Sequence, residues 1–61
     1  MKLTQRIREE FEDFPGLRVT VSEGARFWAI DEATCEQVLA YLFSVRFLTR
    51  SGDERYVQAQ L

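Results

Sequence analysis

The sequence predicts a mostly α-helical single domain, three short helices with a small β-hairpin near the C-terminal end. Three observations lead there. Apolar residues recur at helical spacing over residues 3–14 and again over residues 35–42. A helix-start signature, Thr20-Val21-Ser22-Glu23, falls between those two stretches. A polar turn containing Gly52 separates two short β-prone runs. With 61 residues there is room for one domain, spanning 1–61, and 46% hydrophobic residues can fill its core. A core that rich is needed, since a chain of this size buries only about 60% of its unfolded surface.

Residues 2–14 form the first amphipathic stretch, with Leu3, Ile7, Phe11 and Phe14 on one stripe and Gln5, Arg6, Glu9, Glu12 and Asp13 opposite. Pro15-Gly16 ends it, because proline lacks the N–H that a helix interior uses. Leu17-Arg18-Val19 alternates apolar, polar, apolar and suits a very short strand. The Thr20 hydroxyl can then accept from the Glu23 amide while the Glu23 carboxylate reaches back, so a second helix starts here and runs to about Trp28. Val21, Ala25 and Trp28 point inward on it. Ala29-Ile30-Asp31 is a tight connection, and Asp31 caps a third helix with Glu32 at its positive end. Cys35, Val38, Leu39 and Leu42 form that helix's buried face, which runs to about Phe43 or Ser44. Phe47-Leu48-Thr49-Arg50 and Arg55-Tyr56-Val57 are the hairpin arms around Ser51-Gly52-Asp53-Glu54. The tail 58–61 is expected to fray.

Composition removes several function classes. There is no histidine, hence neither the commonest general base nor the usual physiological-pH switch. Cys35 stands alone, without a disulfide partner or the ligands a zinc site needs. It suits a small buried hydrophobe and a reducing, cytoplasmic setting. Carboxylates at Glu9, Glu10, Glu12 and Asp13 belong to a solvated helix face. No apolar run approaches the roughly 20 residues of a membrane span, and the N-terminus lacks the apolar middle of a signal peptide. Neither an enzyme nor a cofactor or metal is expected. A binding module remains.

The net charge of −2 is unevenly spread. Residues 1–30 are balanced, residues 31–45 carry Asp31, Glu32 and Glu36 without a basic residue, and residues 46–61 are slightly basic.

Residues 20–43 resemble a helix-turn-helix, and the full order resembles the winged form of bacterial transcription regulators. Ala25 occupies the small position where the two helices cross, and Ala29 opens the turn between Trp28 and Ile30. Cys35, Val38 and Leu42 recur where the second helix of the motif packs back. Phe47-Leu48 open the wing, about 47–57, Gly52 sits at its tip and Tyr56-Val57 close it. Two positions depart from the pattern: Ala29 and Arg46 stand where glycine is usual. A non-glycine residue in a left-handed turn costs on the order of 1 kcal/mol.

The resemblance implies double-stranded DNA as partner, read by the third helix in the major groove with the wing on the backbone. Position by position, the groove-facing residues are Ala33, Thr34, Glu36, Gln37, Ala40 and Tyr41. Gln37 can pair with adenine and Thr34 with a phosphate or a thymine methyl, while Glu36 can accept only from cytosine. Phosphate neutralisation falls to Arg18, Arg26, Arg46, Arg50 and Arg55, since the third helix carries no Arg or Lys. Winged helices also serve as protein–protein and dimerisation modules. Five Phe, one Trp and two Tyr exceed what a three-helix core takes in. Phe14, Tyr41 and Phe43 are therefore expected on the surface, facing a protein partner or a second copy.

Overall fold

The computed structural model describes residues 2–59. The chain runs α1 (Lys2–Asp13), β1 (Arg18–Val19), α2 (Val21–Trp28), α3 (Glu32–Ser44), β2 (Leu48–Arg50) and β3 (Tyr56–Gln58). It is three helices with one small antiparallel sheet, in the order the sequence sets out. The sheet has one strand more than the expected hairpin. Its order is β1-β3-β2, with Arg18 opposite Val57 and Val19 opposite Tyr56 on one side of β3. On the other side Leu48, Thr49 and Arg50 face Gln58, Val57 and Tyr56.

The core gathers Ile7 and Phe11 of α1, Ala25 and Trp28 of α2, and Cys35, Val38, Leu39 and Leu42 of α3. Val19, Leu48 and Tyr56 close it from the sheet, and Phe47 is only half-buried at its margin. Phe14 lies just past the end of α1 rather than on its buried stripe and is 59% exposed, on the surface where the surplus of aromatic residues put it. The reason is the helix end. The Phe14 N–H still donates to the Glu10 carbonyl at 3.0 Å, but Leu17 N–H already turns back onto the Phe14 carbonyl at 2.8 Å. Phe27 of α2 is as exposed as Phe14, an exposure the sequence pattern does not announce.

Local chemistry explains where the helices begin. The Thr20 hydroxyl accepts from Glu23 N–H at 3.1 Å, and Thr20 N–H donates to Glu23 Oε1 at 2.9 Å, the full reciprocal cap. Asp31 accepts from the Thr34 N–H at 3.0 Å and from its hydroxyl at 2.7 Å. Those two bonds hold the Asp31 carboxyl below its ordinary range, the hydroxyl's being the larger effect.

The ends of α2 and α3 are built alike. Ala29 sits at φ 56° and Arg46 at φ 66°, both left-handed. At the first, Ile30 N–H donates to the Ala25 carbonyl and Ala29 N–H to Arg26. At the second, Phe47 N–H donates to Leu42 and Arg46 N–H to Phe43. This paired bonding is the Schellman arrangement, which glycine normally completes. Its bonds and the apolar residue that follows each turn hold the chain left-handed without glycine.

Ala25 is buried, and beside it Gly24 also lies against α3, with no room for a side chain. A Cβ there would lie 2.7 Å from Trp28 Cζ3 and 3.0 Å from Cys35 Sγ. In the hairpin turn the left-handed residue is Glu54, at φ 65°, whereas Gly52 has a negative φ. Glu54 N–H donates to the Ser51 carbonyl and Ser51 N–H to Arg55, a three-residue loop with a bulge. Of the tail expected to fray, Gln58 belongs to β3 and Ala59 N–H donates to Phe47 at 2.9 Å. Residues 60–61 lie outside the described part.

Candidate functional site

Helix α3 packs against α1, α2 and β2, which leaves one long side outward. Ala33, Glu36, Gln37, Ala40 and Tyr41 are exposed on that side, and Thr34 is half-buried beside them. The six positions singled out in the sequence thus share a face. Their chemistry is narrower than expected, because the Thr34 hydroxyl already donates to Asp31. Its proton is engaged in the helix cap.

Gln37 and Tyr41 also line a groove of about 1060 Å³ between α1 and α3. The α1 wall supplies Arg8, Glu9 and Glu12, so carboxylates reach this side of the helix as well. Arg8 lies with its guanidinium carbon 5.0 Å from the Phe47 ring centre and its Nε 3.7 Å from Glu12. The groove is therefore of mixed charge.

Of the five candidate backbone arginines, Arg18 and Arg55 converge on one carboxylate. Arg55 grips Glu23 with two parallel bonds, Nε at 3.1 Å and Nη2 at 2.9 Å, and reaches Asp53 through Nη1 at 2.9 Å. Arg18 Nη2 stands 3.6 Å from the same Asp53. Asp53 also accepts from the Ser51 hydroxyl. Ser51, then Arg55 and Arg18, hold the Asp53 carboxyl down to about 2. Glu23 is lowered in the same way, first by Arg55 and then by the Thr20 amide. Two of the five arginines thus face carboxylates of their own chain.

Arg46, Arg50 and Arg26 make no ion pair among the described residues. Arg50 stacks over the Tyr56 ring, 5.1 Å from its centre. Phe43 meets the same ring edge-on at 6.2 Å. Arg46 lines a smaller cavity of about 430 Å³ with Phe43, Ser44, Leu48, Thr49 and Ala59. Tyr41 and Phe43 are both exposed, but they open onto these two different grooves rather than one patch.

The sequence pattern missed the Glu23–Arg55 pairing. Glu23 carried a sufficient local role in the cap, and its second partner lies 32 residues away. Cys35 is fully buried against α2, and burial pushes its thiol upward, as fits a packing residue. Among the described residues no group of three or more Cys, Asp or Glu is placed to hold a metal ion, and no helix is long and apolar enough to cross a membrane. No family model matches the sequence, no curated protein matches it, and no solved structure matches it.

Proposed function

We propose that this chain is a winged-helix-like module that binds protein rather than DNA. One observation carries the reading: the helix that would enter the major groove has no basic residue, carries two acidic ones and is capped by a third. Asp31, Glu32 and Glu36 repel phosphates, and the Arg18 and Arg55 that should offset them are paired with Glu23 and Asp53. DNA affinity comes largely from phosphate neutralisation, and too little free positive charge is left for it. Exposed Phe14, Tyr41 and Phe43 support contact with a protein partner or a second copy. The lone, buried Cys35 suits a reducing cytoplasmic setting.

A transcription-regulator reading keeps one observation in its favour. The groove-facing positions do share an accessible side of α3, and Arg26, Arg46 and Arg50 remain available to phosphate. Titrating mixed-sequence duplex DNA into labelled protein at low salt separates the two. The interaction reading expects the amides of Glu36, Gln37 and Arg50 to stay unmoved. Saturable shifts there that vanish with added salt would reverse the assignment.

A further inference from the structure

We infer that the outward ridge of α3 is a self-association face, on which a second copy of this chain lies with its own α3 running the opposite way. The inference rests on the protein-binding reading above and names its partner.

Shape supplies the first argument. Ala33, Gln37, Tyr41 and the capping Val45 follow one another at intervals of four, and all four are exposed. Residues so spaced form one ridge along a helix. Its two ends differ in bulk. The first offers only the methyl group of Ala33, whereas the second carries Tyr41 and Val45, 57% and 52% exposed. An antiparallel copy reverses the ends, so the bulky half of one ridge lies on the small half of the other. Tyr41 then stands level with Gln37 of the second copy, and Val45 with its Ala33.

Charge supplies the second argument and selects the same register. Asp31, Glu32 and Glu36 make the start of α3 acidic, and no basic residue stands on the helix itself. Arg46 follows the last turn, is exposed and enters no ion pair among the described residues. When Val45 lies level with Ala33 of the second copy, Arg46 lies level with its Glu32. The two-fold repeats that pair at the other end. A parallel copy would instead set Glu32 beside Glu32 and Glu36 beside Glu36, where like charges repel. The adjoining α1 wall is mixed, with Arg8 facing Glu12 at 3.7 Å and Glu9 close by, so it raises no barrier of a single sign.

What this ridge asks of a partner, it also offers. A two-fold interface needs that property, because one patch must serve both sides. A basic helix would suit the carboxylates and oppose Arg46, and an acidic one would do the reverse. One face of a 13-residue helix covers less than the roughly 800 Å² per partner of a standard interface, so association belongs in the high micromolar range.

The test follows the whole chain by sedimentation equilibrium and by nitrogen-15 amide spectra, up to about 1 mM protein. The mass should rise from 7.2 kDa toward twice that value, with concentration-dependent shifts at Ala33, Gln37, Tyr41 and Val45. Glu32→Arg and Arg46→Glu each turn both attractive pairs into repulsive ones, and each should weaken association about tenfold. An equimolar mixture of the two variants should recover the lost affinity, since each then supplies the charge the other lacks. Tyr41→Ser, at an exposed position, should weaken association by a similar factor while the amide spectrum stays folded. A monomer at about 1 mM overturns the inference. So does association whose shifts fall at Phe14 and Phe27 instead of α3, or a mixture of charge variants that recovers nothing. Each of these leaves the protein-binding reading standing with a different partner or face. That reading itself falls only if duplex DNA gives salt-sensitive shifts on α3.

Discussion

On the β1 side of the sheet, Arg18 and Arg55 meet Asp53 and Glu23, tying the hairpin turn to the start of α2. On the β2 side, Arg46 and Arg50 meet no carboxylate among the described residues, and Phe43 stands half in solvent beside them. Each side holds two arginines. On one they act as structure, on the other they enter no ion pair among the described residues. Counting basic residues cannot separate these cases, because a guanidinium gripped by its own chain contributes little field outside it. Packing follows the same division. The α2 side is close enough that Gly24 has no room for a methyl group, whereas on the β2 side Phe43, Thr49 and Arg50 are exposed around the buried Leu48.

Truncation should break that comparison most sharply. Trp28 is 6% exposed, contacts Phe11 at 6.0 Å between ring centres, and closes the joint between α2 and α3. Trp28→Ala should cost about 3–5 kcal/mol in a urea titration, much of the stability of so small a domain. Phe43→Ala loses only an edge contact with Tyr56 and should cost less than about 1.5 kcal/mol. Equal costs would mean that the β2 side is as much core as the α2 side. Tryptophan emission adds a second check, being blue-shifted in the native protein and moving red on unfolding.

Gly24→Ala tests the closeness of the α2 side directly. Alanine is favoured over glycine within a helix by about 1 kcal/mol. Over-packing a tight site costs about 1–3 kcal/mol. Here the methyl meets a buried tryptophan on one side and Cys35 on the other, and neither is a flexible chain end. A net loss of about 1 kcal/mol is expected. A gain in the denaturation midpoint would show that the helices can separate at no cost.

At the two Schellman turns the sign reverses. Ala29→Gly and Arg46→Gly relieve a left-handed strain of about 1–2 kcal/mol and give back part of it as extra unfolded-state freedom. Each should raise stability by about 0.5–1 kcal/mol.

These turns were legible in the sequence because everything they need is local. A capping box, an N-cap aspartate and the apolar spacing of Ile7 and Phe11 and of Cys35, Val38, Leu39 and Leu42 act within a few residues, and these were found where their pattern put them. The unread features join distant parts of the chain. Pairing of Arg18 with Val57 makes a third strand out of two residues that have no strand signal of their own beyond one alternation. The Arg55 grip on Glu23 spans 32 residues. Gly24 and Ala25 are both small, and only the rotation of an eight-residue helix decides that Gly24 has no room for a side chain. For the candidate site, the six residues singled out in the sequence lie along one side of α3. The sequence could not show that the Thr34 hydroxyl and two arginines were already engaged.

Acid gives the smallest expected effect and the finest test of the comparison. Asp53 is held from an ordinary 3.8 to about 2, first by the Ser51 hydroxyl and then by Arg55, and Glu23 is lowered chiefly by Arg55. A carboxyl whose folded pKa is depressed contributes stability above its unfolded pKa and loses it as pH falls through the folded one. Between those limits the unfolded chain binds more protons, so the fold weakens on acidification. The window for Asp53 runs from about 4 down to about 2. Urea midpoints should therefore fall across that range and level off below it. Arg55→Gln should flatten the fall, since it removes a main partner of both carboxyls. Asp53→Asn should remove its own share. Arg50→Gln, on the side where no carboxylate pairs with the arginine among the described residues, should leave the acid profile as it is. These groups are exposed, so salt at high concentration should shrink the first two differences. An acid profile that responds equally to Arg50→Gln and Arg55→Gln would mean the two sides of the sheet share one charge network.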